Sequence, residues 1–149
     1  SAAPGTALAV SLADCVPIFI AHPSGACALL HSGWKGTAAR IVLRAISLFG
    51  QRGLAVGDLL VHLGPAICGR CYEVGADVYG AVTGRRVDRP TPVDLRDVIA
   101  GHASQAGASV TVSEWCTRCH NARFFSHRAG DDGRHLGLLA LPGRFLDGP

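Results

Sequence analysis

A layered, mixed α/β domain is what this sequence predicts, and three observations carry that expectation. Short apolar runs of strand length occur among segments whose apolar residues recur at helical spacing, without a strict strand-helix-strand repeat, which implies a mixed sheet. Apolar residues make up 48% of the chain and charged residues only 17%, enough material for an Ala/Val/Leu-packed core and too little charge for a disordered chain. A length of 149 residues suits one domain over 1–149 and is too short to expect two.

Ala7 to Ala13 and Val16 to Ala21 read as two buried strands interrupted at Asp14-Cys15. Ala26 to Leu30 reads as a third after the turn His22-Pro23-Ser24-Gly25. Pro17, lacking a backbone N–H, places its strand at a start or an edge. After Gly36, Ala38, Ile41, Val42, Ala45, Ile46 and Phe49 recur at helical spacing with Arg40 and Arg44 on the other side. One helix is predicted there, with Thr37 as N-cap and Gly50 and Gly53 as its stop. Leu59 to Leu63 is a strand running into Gly64-Pro65, and Tyr72 to Val82 a helix with Val74, Val78 and Val82 inward. Residues 84–92 form an exposed loop. Asp94 caps a helix that runs to Ala106 and stops at Gly107, and a strand follows at Ser109 to Ser113. After the turn at residues 130–133, a last strand covers Leu136 to Leu141, ended by Pro142-Gly143.

Composition removes several classes of function. No apolar run reaches the roughly 18 to 20 residues of a membrane span, and no export signal is visible, so a cytoplasmic protein without a membrane partner is expected. A net charge of +3 is too small to imply nucleic-acid binding. The charge is uneven, however: no Asp or Glu lies between Asp14 and Asp58, while Lys35, Arg40, Arg44 and Arg52 do. This reads as a solvated basic face, with Lys35 the residue placed to attract an anion such as phosphate. Six Cys in a chain of this size are expected as reduced thiols rather than three disulfides. The absence of Met implies a chain processed at its start or a piece of a longer one.

Chemistry-bearing residues gather in a few places. Asp14-Cys15 and His31 each stand where a buried strand runs out of core and meets a loop, which is where sites are built. Three readings stay open: metal ligands for Zn or Cu, a nucleophile with its base, or two satisfied core residues. Cys68-Gly69-Arg70-Cys71 and Cys116-Thr117-Arg118-Cys119 form two C-x-x-C pairs. All of 72–115 separates them, beyond the roughly 15–20 residues of a zinc ribbon, so a structural zinc site stays open as the lesser reading and small, buried, inert thiols are preferred. Cys116 to His120 also matches the haem attachment pattern C-x-x-C-H. A haem is not expected, because no Met exists as an axial ligand and the segment lies between predicted strands. Arg128 and Arg134 follow the pair Phe124-Phe125, suited to planar or phosphate oxygens or to ordinary ion pairs.

Five blocks, Ala13-Asp14-Cys15-Val16-Pro17, His31-Ser32-Gly33-Trp34-Lys35-Gly36, Gly64-Pro65-Ala66-Ile67, Cys71-Tyr72-Glu73-Val74 and Phe125-Ser126-His127-Arg128 with Gly133-Arg134, occur in one order over nearly the whole chain. Together they resemble the multicopper-polyphenol-oxidase-like, or laccase-domain, family, also called the bacterial purine nucleoside phosphorylase or peptidoglycan-editing-factor family. The resemblance implies an α/β sandwich of the laccase-domain type and a Zn-dependent enzyme. Its substrates would be phosphate and a purine nucleoside (adenosine, inosine, guanosine or methylthioadenosine), with adenosine deamination as a further activity. Copper-dependent phenol oxidation is the older description. It also implies a metal held by an upstream His, by the Cys of the A-D-C motif and by the His of the H-x-G-W motif. Carried over, the last two are Cys15 and His31, and this chain begins inside the family pattern, after the segment bearing the first. Lys35 stands where Arg is commoner and becomes the anion contact. His127 stands where Tyr is commoner. Trp34 and Arg128 are the further candidates for touching substrate. A metal-free Cys-His hydrolase and a catalytically silent domain are the alternatives.

Overall fold

The computed structural model describes residues 6–140. Its centre is a four-stranded mixed sheet in the order β3-β2-β4-β7, made of β2 (Val16–Ala21), β3 (Cys27–Ser32), β4 (Leu60–Leu63) and β7 (Ser109–Val112). β2 runs antiparallel to both β3 and β4, whereas β4 and β7 are parallel. β1 (Ala7–Leu12) and β8 (His135–Ala140) pair antiparallel as a separate ribbon, and β5 (Glu73–Val74) pairs with β6 (Thr91–Pro92). The mixed sheet and helical layer agree with the fold class read from sequence. Among the described residues no helix is long and apolar enough to cross a membrane.

The core forms where the sheet meets the helices. Val16, Ile18 and Ile20 of β2 are fully buried, as are Leu63 and nearly all of Val61 of β4. Each such side chain contributes about 1.5–3 kcal/mol through removal from water. Helix α2 (Ile41–Gly50) turns Val42, Ala45, Ile46 and Phe49 inward, and α4 (Leu95–Gln105) turns Leu95, Ile99 and Ala103 inward. Asp94 caps α4 as expected, its side chain accepting from the Arg96 N–H at 2.9 Å.

Three expectations are corrected. The helix predicted as one piece after Gly36 is two, α1 (Trp34–Ala38) and α2, because Arg40 adopts the left-handed conformation at φ 52° and breaks the helical path. Apolar periodicity carries no signal for that break. Thr37 is consequently inside α1 rather than its N-cap, which is Gly33; the Thr37 hydroxyl instead donates back to the Gly33 carbonyl at 3.0 Å. Tyr72 precedes a shorter helix, α3 (Ala76–Thr83), since Glu73 and Val74 are taken up in pairing with Thr91 and Pro92, the end of the predicted loop. Pro17 sits at a strand start as expected, although β2 itself is interior. Its partner β4 begins pairing only at Ile18, and the Pro17 carbonyl still accepts from Gly64 N–H at 3.0 Å. The last strand ends at Ala140, and Leu141 to Gly143 lie outside the described residues.

Strand directions decide where function can sit. The start of β2, the end of β3 and the ends of β4 and β7 all lie at one end of the sheet. Loops leaving that end therefore bring Cys15, His31, residues 64–71 and residues 113–119 to a common side. An ion pair at the head of α4, between buried Arg96 and partly buried Asp94, fixes two of these loops. Asp94 accepts from Gly69 N–H at 3.0 Å, while its partner Arg96 (3.0 Å) donates to the carbonyls of Ser113 and Trp115 at 2.9 and 3.1 Å.

Burial acts to raise the Asp94 pKa, but hydrogen bonds and charge from Arg96, with the Gly69 and Arg96 amides, outweigh it and hold the carboxyl below its ordinary value. A carboxyl lowered on folding contributes stability above its unfolded pKa, and that contribution is lost as pH falls through the folded value. Asp94→Asn is therefore expected to cost about 3 kcal/mol at neutral pH, since Arg96 is left buried without its partner. The difference from the parent chain should shrink in acid, as urea unfolding across pH will show.

Candidate functional site

The site is built on the turn between β1 and β2. Asp14 holds φ at 76°, the left-handed region that Asp and Asn enter more readily than other side-chain-bearing residues, and it is only 6% exposed. Its backbone carbonyl accepts from Ile67 N–H at 3.0 Å. One carboxyl oxygen accepts from the Thr117 hydroxyl at 2.6 Å and the other from the Arg128 amide at 2.8 Å. Three distant loops are thus tied to one residue.

Cys15 follows, half-buried, against the end of β3. A Cβ on Gly33 would come within 2.9 Å of the Cys15 sulfur, so residue 33 must lack a side chain for the thiol to lie there. Burial, and then the nearby Asp14 charge, push the Cys15 pKa up. A thiol so placed is a poor unassisted nucleophile, and a cation is what would draw its proton off.

His31 lies on β3 opposite Pro17, one residue before Ser32, which pairs with Val16. It is exposed and Cys15 immediately precedes Val16, so the two occupy adjacent strand ends as expected. Ser32 is fully buried, and its hydroxyl meets that of Thr37 at 3.0 Å, fixing α1 against β3. Lys35 is exposed on α1, its ammonium 5.5 Å from the centre of the Trp34 ring. Trp34 is half-buried and packs on the core, which gives it a structural role. Arg128 reaches this side through its backbone, but its guanidinium donates twice to the Glu73 carbonyl at 3.0 Å and covers the Tyr72 ring at 4.7 Å. It is a clamp on Tyr72 here and not a free anion contact.

Tyr72 is a residue that sequence reasoning missed. Burial raises its pKa, the Arg128 charge opposes, and the charges of Cys15 and Asp14 raise it further. The C-Y-E-V block contained it, but only the tertiary contact with Arg128 assigns it to this side.

The preferred reading of small, buried thiols is corrected in part, since only Cys116 of the four is buried, and the lesser reading of a shared metal site gains a geometry. The sulfurs of Cys68, Cys71, Cys116 and Cys119 all lie within 4.8 Å of one another, Cys119 is exposed, and the set can hold a metal ion. Parallel pairing of β4 with β7 continues as a bridge between Ala66 and Cys116, and this brings the two C-x-x-C loops side by side.

Cys15 and His31 supply a thiolate and an imidazole, a donor chemistry that suits zinc. Two donors do not complete a zinc site. Among the described residues no His, Cys, Asp or Glu joins them in a set of three, and the Asp14 oxygens are already committed to Thr117 and Arg128.

The chain matches the family described as multi-copper polyphenol oxidoreductase laccase over residues 1–142. It is 36% identical to the purine nucleoside phosphorylase YlmD of Geobacillus stearothermophilus, over 94% of this chain and 57% of that protein. It is 37% identical to a purine nucleoside phosphorylase of Deinococcus radiodurans, over 97% of this chain and 60% of that one. A protein named adenosine deaminase RL5, from an unknown prokaryotic organism, is 32% identical over 83% of this chain and 53% of its own length. Among solved structures, that of Geobacillus stearothermophilus YlmD superposes with a TM-score of 0.87 at 33% identity, covering 94% of this chain and 58% of that one. The chain thus spans between half and two thirds of the length of these relatives.

Asp14→Ala is expected to destabilise the protein by about 2–4 kcal/mol, because the Thr117 hydroxyl and Arg128 amide lose a buried acceptor and alanine must adopt φ 76°. Asp14→Asn, which tolerates that backbone and keeps one acceptor, should cost less. Thermal unfolding of the two variants side by side measures the difference.

Proposed function

The chain belongs to the multi-copper polyphenol oxidoreductase laccase family, and from that premise we propose that it contributes to a zinc-dependent purine nucleoside phosphorylase. The single observation that carries the reading is the placement of Cys15 and His31 at adjacent strand ends, on the loop-bearing end of the sheet, in a chain similar to two proteins named purine nucleoside phosphorylase. Adenosine deamination is the companion activity, supported by the likeness to the protein named adenosine deaminase.

Under this reading Cys15 and His31 would hold the zinc ion, with a further donor from outside the described residues. A zinc-bound water has a pKa lowered to about 7, the nucleophile that deamination needs. Lys35, exposed and close to His31 in the chain, attracts the phosphate as a point charge. In phosphorolysis a phosphate oxygen bonds to the ribose C1′ while the N-glycosidic bond breaks and its electron pair leaves with the purine. Holding the anion beside the sugar is what Lys35 contributes. Tyr72 is held in place by the Arg128 guanidinium, whose backbone amide in turn reaches Asp14, the neighbour of Cys15. A thiolate and an imidazole suit copper as well as zinc; zinc is preferred because phosphorolysis and deamination, the reactions in the names of the relatives, are not redox reactions. A metal-free thiol hydrolase is disfavoured by an environment that raises the Cys15 pKa.

Incubation of the zinc-loaded protein with adenosine or inosine and phosphate should release ribose 1-phosphate together with free base. Cys15→Ala and His31→Ala should each lower that rate by more than about 100-fold, beyond the usual effect of losing only an outer-shell partner. Lys35→Ala should chiefly raise the KM for phosphate. Turnover that survives both chelation and Cys15→Ala would sink the reading.

A further inference from the structure

We propose that Cys68, Cys71, Cys116 and Cys119 bind one zinc ion as a structural tetrathiolate site, distinct in all its donors from Cys15 and His31. The geometry is the first ground. A tetrahedral ion with Zn–S bonds of about 2.3 Å places its sulfurs about 3.8 Å apart. The Cys119 sulfur is 3.5 Å from that of Cys71 and 3.9 Å from that of Cys68, and all four fall within 4.8 Å. Four sulfurs converging at these separations leave room for an ion at their centre with little movement of the backbone.

Preorganised surroundings are the second ground. The Cys116 sulfur accepts from the Cys68 amide at 3.2 Å and from the Cys119 amide at 3.4 Å, so backbone donors already point at a sulfur where a metal-bound thiolate would carry negative charge. Each C-x-x-C pair sits on a tight turn, Gly69–Cys71 in one case and Thr117–His120 in the other. The turns are zipped by the Ala66–Cys116 bridge and held from behind by the Asp94–Arg96 pair.

Charge balance is the third. Binding releases the thiol protons to solvent and leaves a centre of net charge two minus. Cationic Arg96 donates to the carbonyls of Ser113 and Trp115, next to Cys116, and Arg118 donates to the Cys71 carbonyl at 3.2 Å. Four soft thiolates in a tetrahedron select zinc or iron among common metals. Zinc is the assignment because thiolates fill all four positions of the tetrahedron, the donor set of closed structural zinc sites. Its role would be to clamp the loops after β4 and β7, the same loops that reach Asp14 through Ile67 and Thr117.

The test uses the full chain, expressed with zinc and desalted, with metal content measured by mass spectrometry. A Cys15→Ala/His31→Ala variant should retain one zinc per chain, and Cys68→Ser/Cys119→Ser, which spares buried Cys116, should lose it. In the Cys15→Ala/His31→Ala background, cobalt replacement should give the intense red-region ligand-field bands and near-ultraviolet charge transfer of a tetrathiolate centre, which keeps the test valid if the serine variant does not fold. Chelation in that background should lower the melting temperature. Zinc that persists in the serine variant but vanishes with Cys15 and His31 would overturn this site while leaving the catalytic reading intact. A metal-free protein with four freely titrating thiols, a Cys71–Cys119 disulfide, or bound iron in place of zinc would each overturn it as well.

Discussion

The buried Asp14 is the constraint on which the loop-bearing end of this fold depends. Its backbone and side chain accept from Ile67, Thr117 and Arg128, three residues on three separate loops, and none of these bonds is local in sequence. Each hydrogen bond to a charged group is worth about 1.5–3 kcal/mol. Losing the acceptor strands the buried Thr117 hydroxyl and the part-buried Arg128 amide. The left-handed backbone at Asp14 is the conformational cost of this arrangement, carried by a residue type that tolerates it. Cys15 inherits its position from that turn.

A second consequence follows from strand direction. Because β2 opposes β3 and β4, and β7 runs with β4, four loop attachments emerge at one end of the sheet. The parallel β4–β7 pair requires a long crossover, which α3 and α4 provide, and α4 then starts beneath the very loops it must brace. Asp94 and Arg96 perform that bracing by hydrogen bonds to Gly69, Ser113 and Trp115. Packing in the sheet and order in the loops are therefore parts of one construction.

Local signals in the sequence were sufficient wherever local physics decided the outcome. Apolar runs marked β1, β2 and β4, and the Asp94 cap with its inward Leu95, Ile99 and Ala103 marked α4. Arg40 was not legible as a break, because an amphipathic pattern continues through it and a left-handed residue leaves no periodic trace. Tyr72 to Val74 looked helical and were taken by a strand pairing with residues 91–92, a tertiary override of local preference. The convergence of the two C-x-x-C pairs was equally hidden. Separation along the chain argued against it, and only the parallel register of β4 and β7 brings residues 68 and 116 together. For Cys15 and His31 the residues alone left three readings open, and the resemblance of five sequence blocks was what favoured a metal.

The environment of Cys15 bears on the choice between ligand and nucleophile. A thiol acts as a nucleophile only as thiolate, and both burial and the adjacent Asp14 oppose its ionisation. Asp14 cannot move off to relieve this, since its oxygens are pinned by Thr117 and Arg128. Nor is a cationic side chain pressed against the sulfur: Lys35 is exposed over Trp34, and the Arg128 guanidinium is occupied by the Glu73 carbonyl and the Tyr72 ring. What remains able to stabilise the thiolate is a cation delivered to the site, and His31 on the neighbouring strand end is the second donor such an ion would meet. The Asp14 charge that holds the Cys15 proton in place is also a charge that a cation at the sulfur would relieve, whereas burial opposes the thiolate in either role.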